Sequence, residues 1–214
     1  WGKKMPCLSE YIQWRLTNGK LKLDKKESVA MIRKAVQTDL NGVEEIYNHI
    51  HLQESQGKAC VGWISGVYPT RATAEKALER DDLFVYQEDG KILTSAIINQ
   101  DQVDVYADGD WSCEASAREV MVLHTPVVEP AAAGTGIGRQ FVAFYEEYAS
   151  KAGCKALRMD TNAKNAVARR FYARLGYREA GIRPCVFNGI PDVQLVLLEK
   201  ALPVFQEGGA MGHR

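Results

Sequence analysis

Three glycines at alternate positions, Gly134, Gly136 and Gly138, follow the apolar run that ends in Val127 and Val128 and open directly into the helical pattern RQFVAFYEEYASKAG. Such a turn exposes backbone N–H groups. Glycine lacks the Cβ that would block a ligand, and the first turn of a helix presents unpaired donors and the positive end of its dipole, so the predicted chemistry is capture of a phosphate. Two known phosphate loops can be set against the pattern. A P-loop requires Lys and then Ser or Thr after its last glycine, whereas Gly138 is followed by Arg139 and Gln140, and that reading fails. A dinucleotide fingerprint has the spacing G-x-G-x-x-G in the first βα unit with an acidic residue about twenty positions on. Here the spacing is G-x-G-x-G, past the middle of the chain, and only Asp160 speaks for that alternative. A tight structural loop is the remaining alternative.

The elements around the turn can be read from periodicity. Ile137, Phe141, Phe144, Tyr145 and Tyr148 recur at helical spacing, and Gly153 is the stop signal. Before the turn, REVMVLHTPVV from Arg118 to Val128 predicts a strand, interrupted by Pro126, which has no N–H to give to a ladder. A strand broken there leaves backbone groups free for a ligand. Upstream, Val29 to Ala35 predicts a strand, and Thr38-Asp39 the cap of a helix bearing Leu40, Val43, Ile46, Tyr47 and Ile50. His49 and His51, two apart on that helix, point to different faces, which favours surface or end-capping roles over a shared metal. Thr70 caps a second helix with Ala74, Ala77 and Leu78 on one side, after an aromatic and glycine-rich stretch from Val61 to Pro69 that serves either as ordinary loop packing or as substrate lining. Leu83 to Gln87 and Ile92 to Ile98 flank an Asp89-Gly90 pair and predict a hairpin. Residues 99 to 117 are polar and aperiodic, a long loop or lid. Downstream come a strand from Ala156 to Asp160, a helix from Ala163 to Leu175 capped by Asn162 and stopped by Gly176, and two strands, Tyr177 to Val186 and Val193 to Lys200. That helix has Val167, Phe171, Tyr172 and Leu175 on an apolar side and Arg169, Arg170 and Arg174 on a basic one. The order β-α-α-β-β-β-α-β-α-β-β predicts an α/β layered domain with a mixed sheet.

Composition limits the function classes. The 214 residues carry 27 basic and 27 acidic side chains, which argues against a general nucleic-acid binder. Five scattered cysteines without C-x-x-C spacing read as reduced thiols rather than a disulfide framework or a zinc site. No apolar run reaches membrane-spanning length and no signal peptide opens the chain, so the expected address is cytoplasmic, with no membrane partner. Residues 1–30 form a separate extension with seven basic against three acidic side chains, and Leu8, Tyr11, Ile12 and Trp14 predict a short amphipathic helix ended near Asn18-Gly19. Residues 31–202 are the main domain and 203–214 a tail.

Taken together, residues 31 to 200 resemble the GCN5-related N-acetyltransferase (GNAT) family. The resemblance rests on the β-α-α-β-β-β start, on V-x-P-x-x-A-G-T-G-I-G-R at Val128 to Arg139, and on N-x-x-A-x-x-F-Y-x-x-x-G-Y at Asn165 to Tyr177. The family's pyrophosphate signature, Arg/Gln-x-x-Gly-x-Gly/Ala, falls on Ala133, Gly134, Thr135, Gly136, Ile137 and Gly138. The glycines match, while Ala133 replaces the usual long polar side chain. The resemblance implies a GNAT fold, a mixed and mostly antiparallel sheet flanked by helices with splayed central strands, and acetyl-CoA as co-substrate without a metal.

The implied site residues follow position by position. The pyrophosphate would lie on N–H groups from Gly134 to Arg139, the pantetheine arm beside the strand at Thr125 to Val128, with Asn165 contacting the arm. Arg139, Lys164 and Arg170 are candidates for the outlying nucleotide phosphate, and N–H groups near Val127 and Val128 for the oxyanion. Tyr172 matches the family tyrosine that protonates the leaving thiolate. The general base is Asp160, at the position where the ribosomal-protein N-terminal acetyltransferase branch carries a carboxylate, or Glu119 or His124. The acceptor would be a primary amine of a small molecule or peptide, a homodimer is possible, and a non-catalytic acetyl-CoA sensor or partner module is the alternative function.

Overall fold

The computed structural model describes residues 29–203 in full, together with the backbone of β1 (Arg15–Thr17) and β2 (Lys20–Lys22). Those two short strands pair antiparallel, so the described chain at 15–17 and 20–22 is extended rather than helical. Leu8, Tyr11, Ile12 and Trp14 and the tail from residue 204 onward lie outside the described residues.

The main sheet has seven strands: β3 (Ala30–Lys34), β4 (Leu83–Glu88), β5 (Lys91–Asn99), β6 (Val120–Val128), β7 (Ala156–Asn162), β8 (Arg178–Phe187) and β9 (Ile190–Ala201), in the order β3-β4-β5-β6-β7-β9-β8. Every neighbouring pair is antiparallel except β6 with β7. The sheet is therefore mixed but mostly antiparallel, as expected. Asp89 and Gly90 both hold positive φ, 49° and 81°, the requirement of the tight turn that the Asp-Gly pair predicts.

Side chains alternate along the strands and are buried on both faces. Phe84, Tyr86, Met121, Leu123, Leu157 and Met159 face one core with α3 (Ile137–Lys151) and α4 (Ala166–Arg174). Leu83 and Val85 face the other with α1 (Leu40–Ser55) and α2 (Arg71–Glu79), and Val120, Val122 and Ala156 continue that second face beneath residues 103–115. Helix α3 buries Ile137, Phe141, Val142, Tyr145 and Ala149, while Phe144 and Tyr148 pack part-buried beside Phe84.

Several local expectations are revised. Helix α4 begins at Ala166 and is capped by Asn165, whose Oδ1 accepts the Ala168 N–H at 3.1 Å. Asn162 does not cap it: its Oδ1 accepts the Lys164 N–H at 3.0 Å in the preceding turn, and β7 runs on to include it. Val167 is 71% exposed because the later start turns it away from the sheet, so Ala168, Phe171, Tyr172 and Leu175 form the packing side. His51 is buried with Nε2 at 2.9 Å from the Pro69 carbonyl, and His49 pairs with Glu129 at 2.8 Å, so neither sits free at a helix end.

The feature that positions the site is a local failure of the sheet. β6 and β7 pair in parallel only from Val120–Ala156 to Leu123–Met159. Beyond that point both strands continue, β6 on β5 and β7 on β9, without pairing with each other. The β5–β6 register also slips between Ser95 and Ile97, opposite Thr125-Pro126, with Thr125 at φ 50°. This is the interruption Pro126 predicts: a bulge that turns the end of β6 away from β7.

Candidate active site

The glycine turn lies between β6 and α3. Glu129 caps the three-residue 3-10 turn Pro130–Ala132, and the chain then passes through Gly134 (φ 81°) and Gly136 (φ 94°) into α3. A Cβ built on either glycine meets nothing within 4 Å, so the backbone faces an open concavity that a side chain would fill. Among the described residues, the N–H groups of Gly134, Gly136, Ile137, Gly138 and Arg139 have no acceptor in the protein; the first helical bond is from Gln140 to the Gly136 carbonyl at 3.1 Å. Five unpaired donors at the start of a 15-residue helix form a cradle that can hold an anion. Ala133 is exposed and adds no polar atom, whereas Thr135 turns its hydroxyl back to the Ala132 carbonyl at 2.7 Å. Arg139, Lys164 and Arg170 are exposed and form no ion pair with a described residue.

Gly138 joins this cradle to the splay. Its Cβ position is 3.6 Å from both Phe171 on α4 and Val128 on β6, so the start of α3, the face of α4 and the unpaired end of β6 converge there. From His124 to Val128, β6 has no strand on its β7 side, and an extended ligand arm can lie along that edge. The side-chain oxygen of Asn165 is used by its cap, and its amide N–H groups have no described acceptor, so they remain to donate to such an arm.

A cavity of about 510 Å³ occupies the splay. His124, Thr125 and Asp160 reach it from the strands, Trp63 and Tyr68 from the loop before α2, and Asn165 and Tyr172 from α4. Tyr172 packs in the core on the α3 side of the sheet, yet it lines the same cavity as Asp160, because between β6 and β7 the sheet is open.

Asp160 and Tyr172 are thus brought together. The Asp160 carboxylate is part-buried in the cavity wall, and desolvation there pushes its pKa up to about 6; its one described partner is the Tyr106 hydroxyl, which donates to Oδ2 at 2.9 Å. A carboxylate that titrates near neutrality can take a proton from an ammonium group and return it to solvent. Tyr172 is 6% exposed, its ring set edge-on against Phe171 at 5.1 Å and Tyr177 at 5.8 Å. Burial, with the Asp160 charge adding to it, drives its phenol well above the usual range, so it stays protonated and can act only as a donor near neutral pH. Phe171, its neighbour on the apolar side of α4, is the less buried of the two.

The other two base candidates are placed differently. His124 lines the cavity, but its Nε2 lies 3.0 Å from both Asn99 Oδ1 and the Asp101 carbonyl, so the proton sits on Nε2. Burial pushes its pKa down, so it is neutral near pH 7, with Nδ1 without a described partner. Glu119 does not reach the cavity. It sits just before β6, at the end remote from the bulge, ion-paired with Lys155 at 2.5 Å and accepting from the Ser116 N–H and hydroxyl, which together hold its pKa at about 2. So weak a base does not deprotonate an amine.

Residues 99 to 117 are not a free lid. Arg158 and Glu199 pair at 3.3 Å inside the second core, Arg158 stacks over Trp111 at 4.0 Å, and Glu199 accepts the Ser112 N–H and hydroxyl at 2.7 Å. Burial opposes ionisation of Glu199, but these donors and the Arg158 charge outweigh it and hold its pKa low. Tyr106 joins the site from a segment that reads as a long loop or lid, and Tyr68 and Trp63 from one that reads as either loop packing or substrate lining. Tyr68 bonds Thr125 through their hydroxyls and stacks edge-on with Trp63 at 6.0 Å and Phe187 at 5.9 Å, forming an aromatic wall. The aromatic richness of Val61 to Pro69 is the one sequence signal that pointed to this wall.

Residues 43–177 match the profile of the Acetyltransferase (GNAT) family. An uncharacterized N-acetyltransferase of Methanocaldococcus jannaschii is 35% identical over 75 residues, 35% of this chain and 33% of that one. The aminoalkylphosphonate N-acetyltransferase of Salmonella typhimurium is 42% identical over 57 residues, 27% of this chain and 37% of that one. The match thus spans about a third of each curated relative. Among solved structures, a Salmonella typhimurium protein determined with its cofactor acetyl-CoA superposes with a TM-score of 0.59 at 21% identity, covering 85% of this chain and 99% of that one. The ribosomal-protein-S18-alanine N-acetyltransferase from Escherichia coli does so with a TM-score of 0.58 at 19% identity, covering 86% and 100%.

Proposed function

The chain belongs to the Acetyltransferase (GNAT) family, and from this premise we propose that it is an acetyl-CoA-dependent N-acetyltransferase acting on a primary amine of a small molecule or peptide. The observation that carries the reading is the single cavity in which Asp160, held near a pKa of about 6, and the protonated Tyr172 meet at the splay, with the five-donor glycine cradle joined to it through Gly138. A non-catalytic sensor would need the cradle but not this acid–base pair.

In the proposed reaction, the N–H groups of Gly134 to Arg139 bind the pyrophosphate of acetyl-CoA, and the free edge of β6 with the Asn165 amide aligns the arm toward the cavity. Asp160 takes a proton from the acceptor ammonium. The amine lone pair attacks the thioester carbon, and N–H groups near Val127 and Val128 receive the charge that builds on the carbonyl oxygen. Collapse breaks the C–S bond and forms the amide as its nitrogen gives up its second extra proton to solvent water. Tyr172 donates its proton to the departing sulfur, and Asp160 and Tyr172 then exchange protons with solvent.

The aromatic wall of Trp63, Tyr68 and Phe187 sets the acceptor's shape. The S. typhimurium relative is named for aminoalkylphosphonates, and Lys76 and Arg80 at the rim of this cavity make an acceptor with an anionic tail a first choice for assay. The test is a panel of small amines, polyamines, amino acids, aminoalkylphosphonates, aminoglycosides and peptide N-termini incubated with acetyl-CoA and analysed by mass spectrometry. Acetylation of at least one class, lost in an Asp160→Asn and Tyr172→Phe double variant, is expected. Tight acetyl-CoA binding with no transfer to any amine would favour the sensor reading.

A further inference from the structure

Tyr106 lies in a loop segment with no periodic signal, yet it is 2% exposed and its hydroxyl ends on a carboxylate inside the active-site cavity. That placement is braced. Trp111 donates its indole N–H to the Tyr106 carbonyl at 2.7 Å and sets its ring edge-on to Tyr106 at 5.3 Å, while Arg158, paired with Glu199, stacks over Trp111 at 4.0 Å. Arg178 and Arg183 tie the same loop to β8 through the Asp110 and Asp108 carbonyls at 2.6 and 2.8 Å. These contacts hold the Tyr106 backbone and ring in one place, and with them the hydroxyl that meets Asp160.

The other groups facing Asp160 cannot do what Tyr106 does. Tyr68 from the loop before α2, Tyr172 from α4 and Cys185 from β8 are the further titratable groups that feel its charge, and all three are neutral near pH 7. His124, Asp101, Lys76 and Arg80 line the same cavity without bonding to it. No described cation offsets its burial, and Oδ1 has no described protein partner.

Resting on the assignment of Asp160 as base, we propose that Tyr106 is a positioning residue for the acetyl-transfer reaction: by donating to Oδ2 it fixes the carboxylate, leaves Oδ1 to meet the acceptor amine, and keeps Asp160 ionised at the working pH. A hydrogen bond donated to a charged acceptor lowers that acceptor's pKa by about one to two units. Without it, burial acts unopposed and Asp160 protonates above its present midpoint of about 6.

The experiment is a ¹³C NMR titration of the aspartate side-chain carbons, with Asp160 assigned by its loss in Asp160→Asn. In Tyr106→Phe the Asp160 midpoint should rise by about one unit or more, a tenfold or greater loss of acidity, with acetyl-CoA affinity unchanged. A folded Tyr106→Phe with an unmoved midpoint overturns the inference. If that variant does not fold, the unaltered protein still decides: the hydroxyl-bearing ring carbon of Tyr106 should titrate with the Asp160 midpoint and stop doing so in Asp160→Asn, and a flat Tyr106 signal overturns the bond. Once an acceptor is known, the acid limb of kcat/KM should follow the NMR midpoint in both proteins. An Asp160→Asn enzyme with full turnover overturns the base assignment and Tyr106's role with it. Loss of that limb in Asp160→Asn with an unshifted limb in Tyr106→Phe overturns the Tyr106 inference alone.

Discussion

Asp160 makes the protein's stability depend on pH in a direction opposite to that of an ordinary paired carboxylate. Its folded-state pKa is raised from 3.8 to about 6, so the native state holds the proton more tightly than the unfolded chain does. Between those values the native state binds more protons, and stability is greatest below pH 3.8 and falls as pH rises toward 6. The displacement is about two units at about 1.4 kcal/mol each, so this group alone removes about 3 kcal/mol from stability at neutral pH. Other groups run the other way. Asp39, Glu119 and Glu199 have lowered values and lose stability as pH falls, and His124, also lowered, does the same as it protonates. The measurement must therefore be a difference: urea unfolding of the unaltered protein and of Asp160→Asn at a series of pH values. The Asn variant should gain relative to the unaltered protein as pH rises through the window, by about 3 kcal/mol in all, and the gap should level off above pH 6. A gap that is flat with pH would show that Asp160 is not held protonated by burial, and the reasoning for it as a near-neutral base would fail.

Tyr172→Phe keeps the ring against Phe171 and Tyr177, so acetyl-CoA affinity by calorimetry should hold while kcat falls by roughly one to three orders of magnitude; full turnover would leave Tyr172 as core only. Gly136→Val should abolish acetyl-CoA binding by filling the open side of the cradle, and because φ is 94° it should also cost about 1–2 kcal/mol in a denaturation curve; unchanged affinity would move the phosphates elsewhere. Arg158→Ala removes one cation partner of a buried Glu199, which keeps Arg178 and the Ser112 donors, together with the stacking on Trp111, and should destabilise the fold by about 1–3 kcal/mol; a loss below 1 kcal/mol in the same urea assay would show that the loop is not strapped through this pair.

What the sequence made legible was local. The Asp89-Gly90 hairpin, the spacing of Ile137, Phe141 and Tyr145, the glycine turn and the interruption at Pro126 are each decided by residues within a few positions, and the structure has them where expected. Element ends were less legible where two polar residues competed: Asn162 and Asn165 can both cap, and only the length of β7, set by pairing with β9, decides between them. The support around the site was not legible. Tyr106 and Asp160 are 54 residues apart, and Arg158 and Glu199 are 41 apart, joined only through the sheet, so no periodicity marks residues 99 to 117 as braced rather than mobile. The ranking of Asp160, His124 and Glu119 likewise turned on burial and partners, which spacing does not carry.

The claim that acetyl-CoA is held on the glycine turn and delivered into the splay is tested most directly by following backbone amides in ¹⁵N NMR spectra as acetyl-CoA is added. Gly134, Gly136, Ile137, Gly138 and Arg139, with the side-chain amide of Asn165, should shift together and saturate with one affinity, because these are the donors without partners. Calorimetric binding of acetyl-CoA that leaves these signals unmoved, or tight binding of NAD with none of acetyl-CoA, would contradict it.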